Sequence, residues 1–96
     1  MNDLDWTGLP GAELVQKGLA DLARGVESVE ALLVLIGRPR LNELGVTVPQ
    51  RRPHPEHALY AALAQTEGAH AHSAYNALVR RLVSFERALS IRSRAS

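Results

Sequence analysis

The sequence predicts an all-α fold: a small single-domain bundle of four main helices with a short extra helical turn at about 39–44. Three observations predict it. Apolar residues recur at helical spacing in two stretches, Val15, Leu19, Leu22, Val26 and Tyr75, Leu78, Leu82, Phe85, Leu89. Between them, Ala31 to Ile36 has no polar residue at all, and helix start and stop signals flank it. Proline and glycine punctuate the chain where one helix should give way to the next.

Residues 1–9 read as an arm. Leu4, Trp6 and Leu9 are apolar, and burying the tryptophan ring alone is worth roughly a few kcal/mol, so the arm is expected to dock on the bundle or on a second subunit. The first helix is predicted from near Pro10, which needs no N–H donor in a first turn, to Gly25. Lys17 and Asp21 are i,i+4 partners, placed on its exposed side. Gly18 within this helix suits either a close helix crossing or mere tolerance.

The second helix, about 28–37, is the apolar run and is expected at the centre. The Ser28 hydroxyl can accept an orphan backbone N–H, Glu30 suits the dipole, and Gly37 offers a left-handed stop. A buried strand is the rival reading of Ala31 to Ile36; the signals on either side favour helix. Pro39 opens the short turn and Gly45 can close it, letting Val46 pack on Leu41. Residues 46–54 form a Pro/Arg-rich loop, within which Val46, Thr47 and Val48 have the composition of a brief strand.

The third helix is predicted from Pro55 to about Thr66, with Leu59, Leu63 and Tyr60 toward the inside and Gly68 as its end. Ser73 reads as the N-cap of the fourth helix, Ala74 to about Arg92. The spacing from Tyr75 to Leu89 averages 3.5 residues, which makes a knobs-into-holes seam flanked by Val79 and Val83. Residues 93–96 are expected to fray.

There is no cysteine among the 96 residues, which excludes disulfides and thiolate chemistry and fits a reducing compartment. No segment offers the roughly 20 apolar residues that a spanning helix needs. The first five residues, acidic at Asp3 and Asp5, lack the look of a signal peptide. The expectation is a cytoplasmic protein without membrane contact. Net charge is +1 but uneven. Residues 1–36 carry six acids and two bases, giving −4; residues 37–96 carry nine arginines and four acids, giving +5. An acidic half folding on a basic half is the simpler reading, and a basic surface for an anionic partner the sharper one.

Candidate sites follow from that asymmetry. Arg80 and Arg87, seven apart, align on the outer face of the last helix with Asn76 and Ser84; Arg81 lies to one side. Together with Arg51 and Arg52 of the loop, they could track phosphates, although a plain solvated face with Glu86 as a local partner accounts for them as well. Gly37-Arg38-Pro39-Arg40 resembles the core of an AT-hook over four residues only; its flanks, Ile36 and Leu41, are apolar, and it reads as a helix break.

The histidines fall in two pairs, His54 with His57 and His70 with His72, separated by the third helix of roughly 17 Å. Unless that helix is shorter or bent, one subunit cannot bring both pairs to one metal, so no metal site is assigned, and a site shared across two subunits stays open. No phosphate loop, nucleophile elbow or His-Glu-x-x-His motif occurs, so no catalytic residue and no cofactor is expected. The functional expectation is a non-enzymatic interaction module that forms a homodimer or meets a protein partner, using Leu4, Trp6, Leu9, Leu82, Phe85 and Leu89. Nucleic-acid binding through the basic face is the alternative.

Overall fold

The computed structural model describes Trp6, residues 8–49 and residues 53–95 (the side chains of 93–95 excepted), and the fold it shows is all-α. Four longer helices, α1 (Ala12–Ala23), α2 (Val29–Ile36), α4 (Pro55–Glu67) and α5 (Ala71–Ala95), form the bundle. The short α3 (Arg38–Glu43) follows α2, and a 3₁₀ turn, Gly68–His70, joins α4 to α5. No strand occurs among the described residues.

Helix α2 is the centre, as its composition requires. Ala31, Leu32, Leu33, Val34 and Leu35 are all buried, and the helix packs on α1, α4 and α5. Its start follows the sequence signal: Ser28 Oγ accepts the Ala31 N–H at 3.1 Å. Glycine lets its neighbours approach. A β-carbon on Gly18 of α1 would collide with the Glu30 carbonyl and the Val34 side chain, so the α1–α2 crossing needs glycine there.

Gly37 acts differently from the expected left-handed stop. Its φ is −83°, and its lack of a side chain makes room for Leu82 and Glu86 of α5, which a β-carbon would approach to 2.9 Å. Left-handed ends do occur at Gly25 (φ +74°) and Gly45 (φ +90°). After Gly45, Val46 N–H donates to the Leu41 carbonyl at 2.9 Å and Gly45 N–H to Asn42 at 3.1 Å, which is a Schellman motif.

Other expectations shift. Helix α1 begins at Ala12 with Gly11 as its cap, and Pro10 lies in the preceding turn. Val26 falls beyond the helix and is 42% exposed, leaving the predicted stripe. Helix α5 starts at Ala71, so Ser73 sits inside it rather than capping it; the 3₁₀ turn carries the chain almost directly from α4 into α5. At its other end α5 continues to Ala95, through residues expected to fray. Val46 and Val48 are buried and Thr47 exposed, the alternation of a strand. Side chains of α3 take the backbone groups instead: Asn42 Oδ1 accepts the Val48 N–H at 3.1 Å, and Arg38 Nε donates to the Val48 carbonyl at 3.1 Å.

The inner line of α5 is the predicted seam. Leu82, Phe85 and Leu89 are buried, and Tyr75 and Leu78 half-buried. Trp6 meets Phe85 edge-on, with ring centroids 5.0 Å apart, so this side chain docks on its own bundle. The indole N–H is buried without a partner among the described residues.

Candidate functional site

The residues expected to mediate self-association are mostly inside the chain. Trp6, Leu9, Leu82, Phe85 and Leu89 belong to one buried cluster with α2. Leu4 lies outside the described residues, as do Arg51 and Arg52 of the basic loop. Closing the core therefore takes up the apolar seam that looked surplus in the sequence.

Four large apolar side chains among the described residues stay substantially outside: Val26 at 42%, Tyr60 at 42%, Val83 at 40% and Ile91 at 64%. Tyr60 was expected toward the interior; it turns outward instead and joins a ring cluster. Its centroid lies 5.9 Å from Tyr75 and 6.4 Å from His72, both on α5. Val79 and Val83 follow Tyr75 at one and two helical turns, so α5 carries the same flank onward. His72 is tied to Asn76, with 3.2 Å between Nε2 and Nδ2. Burial first, and then the charge of Glu56, raise the pKa of the Tyr75 hydroxyl above its ordinary value.

The basic residues separate by geometry. Arg81 donates to Glu13 of α1, an ion pair that joins the basic half to the acidic half. Arg80 and Arg87 are exposed and have no ion pair or hydrogen bond among the described residues. Arg80 and Arg81 line an open recess of about 280 Å³ with Pro10, Gly11, Ala77 and Ser84. Within the described residues the outer face thus has two uncommitted guanidiniums rather than a continuous basic ridge. Glu86, read as a surface partner for these arginines, is instead 9% exposed and turned to the Gly37 joint.

Asp21 also departs from the surface position expected of it. It is 3% exposed and holds three donors: Lys17 Nζ at 2.7 Å, Arg24 Nη2 at 2.8 Å and Ser28 Oγ at 2.5 Å. The Lys17 bond, then the Ser28 bond, outweigh burial and hold the carboxyl down at about 2. Because Ser28 also caps α2, Asp21 fixes the start of the central helix from α1. Ser28 and Glu30 tie the start of α2 to Asp21 and Lys17 of α1, while Arg24 closes on Asp21 from the end of α1 itself.

The histidines remain apart. His54 and His57 stack at 5.7 Å near the start of α4, where His54 adopts a left-handed φ of +54°. His72 belongs to the tyrosine cluster at the other end of α4, and His70 to the 3₁₀ turn. No group of three or more His, Cys, Asp or Glu among the described residues could hold a metal. No helix among them is long and apolar enough to cross a membrane. The sequence matches no family model, no curated protein and no solved structure.

Proposed function

We propose that this chain is a non-enzymatic helical interaction module that self-associates through the α4–α5 flank carrying Tyr60, Tyr75, Val79 and Val83. The observation that supports it is the exposure of Tyr60 and Val83 beside the half-buried Tyr75 and Val79 at the margin of the core. Tyrosine supplies contact area at small entropic cost, and interfaces are enriched in it. Between Tyr75 and Val83 this line of α5 carries no charge, and Arg87 follows only one turn beyond, so two copies can meet across a two-fold axis along the uncharged stretch. Pairing further round α5 would bring Arg80 against its own copy. A specific dimer would bury roughly 1,200 Å² or more in total.

Light scattering tests this reading. At about 100 µM, the weak end of specific association, the expected mass is twice the 10.4 kDa of the chain. Tyr60→Ser with Val83→Ser should return the monomer mass with little change in melting temperature, because both side chains are about 40% exposed. A monomeric wild type would exclude self-association. A dimer that survives the double substitution would move the interface elsewhere.

A second reading, binding of nucleic acid, rests on the uncommitted Arg80 and Arg87. It expects retardation of short duplex DNA at about 50 mM salt, weakening steeply as salt rises, with a shallower slope in Arg80→Ala/Arg87→Ala. Absence of retardation at micromolar protein would remove it.

A further inference from the structure

Glu86 follows Phe85 on the inner side of α5, and its carboxyl lies at the joint between α2 and α3. The contact is close: a β-carbon on Gly37 would come within 2.9 Å of Glu86 Oε2. The residue is 9% exposed, and no hydrogen bond or ion pair reaches it among the described residues. An ionised carboxylate in such a place is costly unless a cation comes to it.

Of the helices packed on α5, α4 brings Glu56, His57 and Glu67, all exposed, and α1 brings Glu13, paired with Arg81, and Lys17 and Asp21, paired with each other; the remaining neighbours supply few candidates. Helix α2 ends in Leu35 and Ile36, with its one acid, Glu30, at the opposite end beside Lys17. Residues 44–49 contain no ionisable side chain. On α5 itself the next residue, Arg87, is exposed. Helix α3 brings Arg38, Arg40 and Glu43. Arg38 is engaged with the Val48 carbonyl. Arg40 donates to Glu43 Oε1 at 3.1 Å, an exposed contact of the kind worth little in water. Arg40 stands in the helical turn that opens at Gly37, where the Leu41 N–H donates to the Gly37 carbonyl at 2.8 Å, so it lies one turn from the backbone that Glu86 touches, and its charge opposes the effect of burial there. Its side chain is 49% exposed, long and flexible, with five donors on one planar fork.

We propose that Glu43 and Glu86 compete for Arg40, so that the charge on Glu86 sets whether Arg40 closes the α2–α3 joint against α5 or stays on the surface. With Glu86 protonated, Arg40 keeps its exposed partner and the buried carboxyl needs no cation. With Glu86 ionised, Arg40 turns inward, gives up Glu43 and pins α3 to α5. The exchange is a pH-sensitive latch built from three side chains on two helices, and it is independent of any self-association.

Side-chain NMR across roughly pH 3 to 9, a range spanning carboxylate and imidazole titration, tests it. The Arg40 Cζ and Nε signals should shift with the same midpoint as the Glu86 Cδ signal. In Glu86→Gln that shift should vanish. In Glu43→Gln the Glu86 midpoint should move to lower pH, because the competitor for Arg40 is gone. Arg40 signals indifferent to the Glu86 midpoint, or a Glu86 midpoint unmoved in Glu43→Gln, would overturn the proposal.

Discussion

Asp21 and Glu86 are both buried carboxylates on long helices, and the fold treats them in opposite ways. Asp21 gathers Lys17, Arg24 and Ser28, and its proton is held off down to about pH 2. Glu86 faces a glycine backbone and a leucine, and burial raises its pKa, with Arg40 opposing. Both are largely shielded from solvent, at 3% and 9% exposure, but polar donors enclose Asp21, whereas burial is the leading influence on Glu86. The same chemical group is a fastener where three donors converge and a source of instability where none does.

The contrast can be broken most severely with a carboxylate that has neither donors nor a route to solvent. Leu33→Asp places one in the middle of α2, at a position 0% exposed. The cost of several kcal/mol is a large part of the roughly 5–15 kcal/mol that holds a domain together, so the variant should lose its cooperative melt by circular dichroism. A melting temperature within a degree or two of wild type (a shift of well under 1 kcal/mol) would remove α2 from the centre of the account.

Asp21→Asn comes next. It removes the charge shared by Lys17 and Arg24 and disturbs the Ser28 hydroxyl that caps α2. Its melting temperature should fall further than that of Ser28→Ala, which loses the cap and one Asp21 bond and should cost about 1 kcal/mol. The reverse order in thermal melts would mean that the cap, rather than the carboxylate, organises the α1–α2 junction. Glu86→Gln should show the smallest effect, with the opposite sign: a modest gain in melting temperature at neutral pH.

Much of the fold was legible in the sequence because it rests on local signals. Ser28 before an apolar run, Gly25 and Gly45 after helical stripes and Pro55 before Glu56 each act over a single turn. The seam from Tyr75 to Leu89 was legible by its period. The two carboxylates were not. Periodicity is read from apolar letters, so an acid beside a stripe looks like the edge of the surface; Asp21 precedes Leu22, and Glu86 follows Phe85. Their burial depends on what another helix brings: Ser28 to Asp21, and the bare backbone of Gly37 to Glu86. The Tyr60–Tyr75–His72 cluster was hidden likewise, since it forms only when α4 and α5 pair. A glycine within a helix, as at Gly18, was a sign of close approach whose partner only the packing identified.

The most direct test of the contrast is the melting temperature of wild type, Asp21→Asn and Glu86→Gln followed against pH. For Asp21 the folded pKa is lowered, so its contribution is present above the ordinary 3.8 and lost as pH falls toward about 2. For Glu86 the folded pKa is raised, so stability is greatest below the ordinary 4.5 and declines as pH rises through the folded value. Wild type should therefore show both limbs. Asp21→Asn should flatten the acid limb. Glu86→Gln should match wild type in acid and melt above it at neutral pH. A Glu86→Gln protein that melts below wild type at neutral pH, or an acid limb unchanged in Asp21→Asn, would contradict the account.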